Sequence, residues 1–127
     1  MNEKIIQKEL PYKICGLCFK TQNELGRFRS ERTYADYIEK LLIINNIAFK
    51  REETVGSFAE EKINRRNIPD FIIDDKILLD LKAKDLVTRD DYYQMKRYLS
   101  ASNLKLGLIV NFRQEHISPK RVLNPHS

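Results

Sequence analysis

Two short runs rich in branched apolar residues, Ile68 to Ile73 and Ile77 to Ala83, flank the polar triplet Asp74-Asp75-Lys76, and no other feature of the chain constrains its fold so tightly. Such residues pack well on a pleated surface, so the segment predicts a β-hairpin. Register then decides which side chains share a face, because a slip of one residue sends every side chain to the other side. A turn centred on Asp75 sets Asp70 opposite Asp80 and Ile72 opposite Leu78, which gathers Asp70, Asp80 and Lys82 on one face and Phe71, Ile73, Ile77, Leu79 and Leu81 on the other. A two-residue turn at Asp74-Asp75 pairs Asp70 with Leu79 instead and buries a carboxylate among apolar neighbours at a cost of several kcal/mol. The first register is the expected one.

Helical patterns surround the hairpin. Ile14, Leu17, Cys18 and Leu25 recur at helical spacing between Leu10 and Leu25, with Gly26 as a stop, and Tyr34, Ile38, Leu41 and Leu42 form a second stripe between a Ser30 N-cap and Asn45-Asn46. Residues 47–59 read as a strand, with room for a second, and residues 60–67 as a polar loop. Thr88 with Asp91 three residues on resembles a capping box opening a third helix, with Tyr92, Met95 and Leu99 inward and an end near Ser102-Asn103. Leu106 to Phe112 is apolar enough for a buried central strand, and Ile117 to Leu123 suggests an edge strand interrupted by Pro119. The expectation is one α/β domain over residues 1–127, with a mixed central sheet flanked by helices in the order α-α-β-β-β-α-β.

An excess of 23 Lys and Arg over 18 Asp and Glu gives a net charge of +5 and favours polyanionic partners. No apolar stretch is long enough for a membrane span and the N-terminal ten residues lack a signal-peptide core, so a cytoplasmic location and no membrane partner are expected. Cys15 and Cys18 form a lone CxxC without a second pair, which reads as small buried hydrophobes rather than a zinc site or a disulfide. His116, in a polar loop, is expected to be solvated and without a role.

Two carboxylates brought within about 4–6 Å of each other repel unless a proton or cation lies between them. Mg²⁺ or Mn²⁺ answers that need with hard oxygen ligands, taking one or two carboxylates and leaving positions for water and phosphate. Lys82, two residues along the same face from Asp80, is placed to orient or deprotonate an attacking water and to offset charge on phosphoryl oxygens. The chemistry these residues suit is phosphodiester hydrolysis.

Pro69-Asp70 followed by Asp80-Leu81-Lys82 resembles the PD-(D/E)XK nuclease signature, and Gln94 and Tyr98 match the QxxxY helix motif of its exonuclease-like branch. Glu31-Arg32-Thr33-Tyr34 after Leu25-Gly26, with the run Gly107 to Phe112 downstream, is similar to the GxxExxY family within that superfamily; Phe28 stands where that name has glycine, and Asp80 where glutamate is commoner. The resemblance implies a restriction-endonuclease-like fold, metal ligation by Asp70 and Asp80, Lys82 as catalytic lysine, Glu31 joining the metal directly or through water, and Gln94 and Tyr98 positioning substrate or the lysine.

Among the basic residues Arg65, Arg66, Lys84, Arg89, Lys96 and Arg97, the expected phosphate contacts are Lys84 and Arg97 foremost. Tyr92 is expected in the core, and Tyr93 and Tyr98 are candidates for base stacking. The leading reading is a Mg²⁺-dependent nuclease on nucleic acid, DNA ahead of RNA, acting as a homodimer or with a protein partner. The alternative is a non-catalytic nucleic-acid-binding or protein-interaction module on the same fold.

Overall fold

The computed structural model of the protein describes residues 3–52 and 68–125, with side chains from residue 8. Its elements run α1 (Glu3–Leu25), α2 (Glu31–Ile44), β1 (Phe49–Arg51), β2 (Phe71–Ile73), β3 (Ile77–Lys82), α3 (Arg89–Ser102), β4 (Leu106–Asn111) and β5 (Lys120–Leu123). The strands form one sheet in the order β1-β2-β3-β4-β5, antiparallel except between β3 and β4. Helix α3 makes the crossover that a parallel pair requires.

The hairpin takes the register centred on Asp75: Phe71 pairs with Leu79, Ile72 with Leu78 and Ile73 with Ile77. Asp74 and Asp75 both have positive φ, a conformation Asp tolerates better than most residues, and the Lys76 N–H closes the turn on the Ile73 carbonyl at 3.0 Å. One step beyond the ladder, Asp70 is level with Asp80.

Alternation along β2, β3 and β4 divides the core in two. Phe71, Ile73, Leu79, Leu81, Leu108, Val110 and Phe112 pack with Ile14 and Cys18 of α1 and Tyr34, Ile38 and Leu42 of α2. On the other face Leu78 and Ile109 pack with Met95, Tyr98 and Leu99 of α3 and Val122 of β5. Asp80 and Asn111 lie on this second face near the C-terminal ends of the parallel strands, and Gly107 leaves room there for the Met95 side chain, which a Cβ would strike.

Helix α2 is capped by the Ser30 hydroxyl, which accepts the Thr33 N–H at 3.1 Å, and α3 by a complete Thr88–Asp91 capping box. Helix α3 ends at Asn103, in the left-handed conformation that commonly terminates helices. Three details differ from the sequence reading. Helix α1 runs back to Glu3 and carries Pro11 within it rather than starting near Leu10. The edge strand expected over Ile117 to Leu123 forms as β5 but begins at Lys120, so Pro119 precedes it rather than interrupting it; lacking an N–H, proline is excluded from a continuing ladder. Tyr92 is half-buried at the edge of the α3 core rather than within it. The second strand and polar loop expected before Ile68 lie outside the described residues.

Candidate active site

The site forms at the C-terminal end of β3, where the α3 face of the sheet meets the start of α2. Asp80 is buried, at 6% exposure, because it points to the α3 side between apolar strands, and its Oδ2 lies 2.9 Å from Lys82 Nζ. Asp70, at the entry to β2, accepts the Leu81 main-chain N–H on Oδ2 at 2.6 Å, which fixes its carboxyl beside that of Asp80. Burial, the Asp80 charge and a hydrogen bond shared with Asp80 push the Asp70 carboxyl up to about 8. Near neutral pH the Asp70 carboxyl is therefore protonated.

Burial by itself would lower the Lys82 ammonium, but Asp80 at contact distance, with Asp91 and Glu31 adding to it, raises it above its ordinary range. The lysine is held as a cation by Asp80, by Gln94 Oε1, which accepts from Nζ at 3.3 Å, and by Asp91 Oδ1 at 3.7 Å. Tyr98, one helical turn after Gln94, is buried on the same helix; its phenol is raised first by burial and then by the charges of Asp80 and Asp70. Glu31, in the first turn of α2, reaches the same end of β3: a hydrogen bond from the Ala83 backbone, Lys82 and Lys84 each act to lower its carboxyl, while burial, the largest influence, and Asp80 raise it, for a net rise.

The structure thus brings together Asp70, Asp80, Lys82, Glu31, Gln94 and Tyr98 from four elements. Lys84 is also here, but its Nζ is tied to Asp91 Oδ2 at 2.6 Å rather than standing free for phosphate. Arg97 is exposed on α3, close enough to Tyr98 to influence its phenol, while Arg65 and Arg66 lie outside the described residues. His116 is exposed and Cys18 is packed in the core, its thiol raised by burial.

Two further residues belong to the site, and the sequence reading placed neither there. Asp91 is the capping acid of α3, accepting the Thr88 N–H on Oδ2 at 2.7 Å, and it also anchors Lys84 and faces Lys82. Despite burial, the Lys84 and Thr88 hydrogen bonds hold its carboxyl below the ordinary range. Asn111, level with Lys82 on β4, accepts the Lys84 N–H at 3.2 Å and donates to the Lys84 carbonyl at 2.7 Å, fixing the chain just past the lysine. The sequence marks Asp91 only as a capping acid, and neither its place in the site nor that of Asn111 has a local signal.

The sequence model of the PD-(D/E)XK nuclease superfamily matches residues 8–122, which includes every one of these side chains. The chain belongs to the PD-(D/E)XK nuclease superfamily. Its three-layer α/β architecture is restriction-endonuclease-like, and nuclease families of this kind generally use divalent metals. No curated protein sequence and no solved structure matches the chain. Among the described residues no helix is long and apolar enough to cross a membrane.

As a donor set for a divalent cation, the PD-(D/E)XK site is a pair rather than a cage: among the described residues no three His, Cys, Asp or Glu side chains close into a metal-holding group. Two adjacent carboxyl groups are hard oxygen ligands in the number Mg²⁺ or Mn²⁺ commonly takes from a protein. The residues present fit such an ion.

Proposed function

We propose that this member of the superfamily is a Mg²⁺- or Mn²⁺-dependent nuclease that hydrolyses phosphodiester bonds, with DNA ahead of RNA as substrate. The observation that carries the reading is the juxtaposition of Asp70, Asp80 and Lys82 on one face of the hairpin, with the lysine charged. Asp70 and Asp80 would hold the ion, with Glu31 as a further ligand directly or through water, and the ion when bound supplies Lewis-acid stabilisation of the phosphoryl oxygens. Asp70, protonated near neutral pH, would lose that proton to solvent on holding such an ion. The Lys82 ammonium, already oriented by Asp80 and Gln94, offsets negative charge developing on the phosphate without reorganising at the moment of reaction. Gln94 and Tyr98 position the lysine and the acid pair from α3.

The test is incubation of the protein with single- and double-stranded DNA and RNA in Mg²⁺, Mn²⁺ or EDTA. Metal-dependent products from wild type, and losses of about a hundredfold or more in Asp80→Ala and Lys82→Ala with the fold retained, are expected. Equal cleavage by wild type and both variants rejects the proposal, and salt-sensitive binding without products favours a non-catalytic binding module.

A further inference from the structure

The loop between α1 and α2 carries an exposed aromatic ring in a fixed frame. Arg27 Nε donates to the Arg113 carbonyl at 2.9 Å, and Arg113 Nε donates to the Arg27 carbonyl at 3.0 Å, so the loop is clamped to the chain just beyond β4 by a reciprocal pair of bonds. Both guanidinium carbons lie over the Phe28 ring, at 5.1 Å for Arg27 and 5.6 Å for Arg113. Tyr34 stiffens the same loop: its hydroxyl donates to the Gly26 carbonyl at 2.6 Å and accepts the Arg29 N–H at 3.2 Å, while its ring stacks on Phe112.

Phe28 nevertheless stays 73% exposed, so its ring is open to solvent within this frame. Each guanidinium uses one of its five donors on the clamp, and among the described residues neither Arg27 nor Arg113 is in an ion pair. Position places the ring at the site. Phe28 is three residues before Glu31, a reach of at most about 11 Å. Arg113 is two residues after Asn111, the β4 partner of Lys82, and donates its N–H to Asn111 Oδ1 at 3.2 Å. The frame therefore stands outside the carboxyl ends of β3 and β4, where ligands of open α/β sheets bind.

An exposed aromatic ring flanked by two guanidiniums that, among the described residues, are in no ion pair matches a nucleotide on both counts, a π-face for the base and positive charge for the phosphate. We propose that Phe28, framed by Arg27 and Arg113, is a stacking platform for an unpaired base next to the phosphate at Asp70, Asp80 and Lys82, so that the preferred ligand is a single-stranded or locally unpaired segment of nucleic acid. The inference rests on the nuclease reading for its meaning, but its test does not depend on turnover.

The full-length protein is titrated in EDTA with single-stranded DNA and RNA oligonucleotides bearing one 2-aminopurine at successive positions, alongside a fully paired duplex. Wild type is expected to bind the single strands and to change the fluorescence at one position. Phe28→Ala, at a residue that makes no part of the clamp hydrogen bonds, should abolish that change and weaken single-strand binding by roughly 5- to 150-fold while leaving duplex binding little altered; Phe28→Trp should restore both. Unchanged affinity and fluorescence in Phe28→Ala, or no single-strand binding by wild type, overturns the platform. A position-specific signal lost in Phe28→Ala, in a protein that cleaves nothing with any metal, leaves the platform standing and removes the nuclease reading; metal-dependent cleavage with binding indifferent to Phe28 does the reverse.

Discussion

Asp70 Oδ2 accepts the Leu81 main-chain N–H at 2.6 Å, so the acid at the entry to β2 is fastened to the residue between Asp80 and Lys82. This bond favours a charged carboxylate, yet burial and Asp80 outweigh it and leave Asp70 protonated up to about pH 8. An unfolded Asp titrates near about 3.9. Between those values the folded chain holds a proton that the unfolded chain has lost, so Asp70's contribution to metal-free stability falls as pH rises from about 4 to about 8 and is level above. Asp70→Asn, which keeps an acceptor for Leu81 and gains a donor toward Asp80, is expected to flatten that slope and to stabilise the metal-free protein by on the order of 2 kcal/mol at pH 8. Urea titrations across the pH range check it.

Lys82 is held from two sides, and its orientation depends on Asp91 as well as on Asp80. Asp91→Asn keeps an acceptor for the Thr88 cap but weakens the ties to Lys84 and Lys82. It should cost about 1–2 kcal/mol of stability and lower cleavage less than Lys82→Ala does, a ranking read from single-turnover rates.

Gly107 is where α3 comes down on the sheet, with the Met95 side chain filling the space a Cβ would occupy. Gly107→Ala is expected to destabilise by about 1–3 kcal/mol. Met95 shares α3 with Gln94 and Tyr98, so the substitution should also reduce cleavage without touching an acid. Denaturant midpoints and rates measured on the same preparation test the coupling.

Tyr34 joins the α1–α2 loop to the end of β4 through its hydroxyl and its stacked ring, 4.2 Å from Phe112. Tyr34→Phe retains the stacking and removes the hydroxyl, leaving the Gly26 carbonyl without that donor. A loss of about 1–2 kcal/mol by thermal or chemical denaturation is expected.

The sequence made the hairpin legible because only one register keeps both acids off the apolar face, and Ser30, Thr88 and Asn103 marked helix ends by local chemistry alone. The apolar run Leu106 to Val110 announced a buried strand in the same way. Tertiary partners were hidden. Nothing near Asp91 reports that two lysines of β3 and its following loop will face it, and the Arg27–Arg113 clamp joins residues 86 apart along the chain. Lys84 reads as a free phosphate contact until the fold supplies its carboxylate.

The central claim is that Asp70 and Asp80 form a seat for a divalent cation, and isothermal titration of Mn²⁺ into the protein at pH 7 in two buffers of different ionisation enthalpy tests it most directly. Binding that is competed by Mg²⁺, releases up to one proton as Asp70 ionises, and is lost in Asp80→Asn is the predicted result. Equal Mn²⁺ affinity in wild type and Asp80→Asn, or no binding to either, would contradict it.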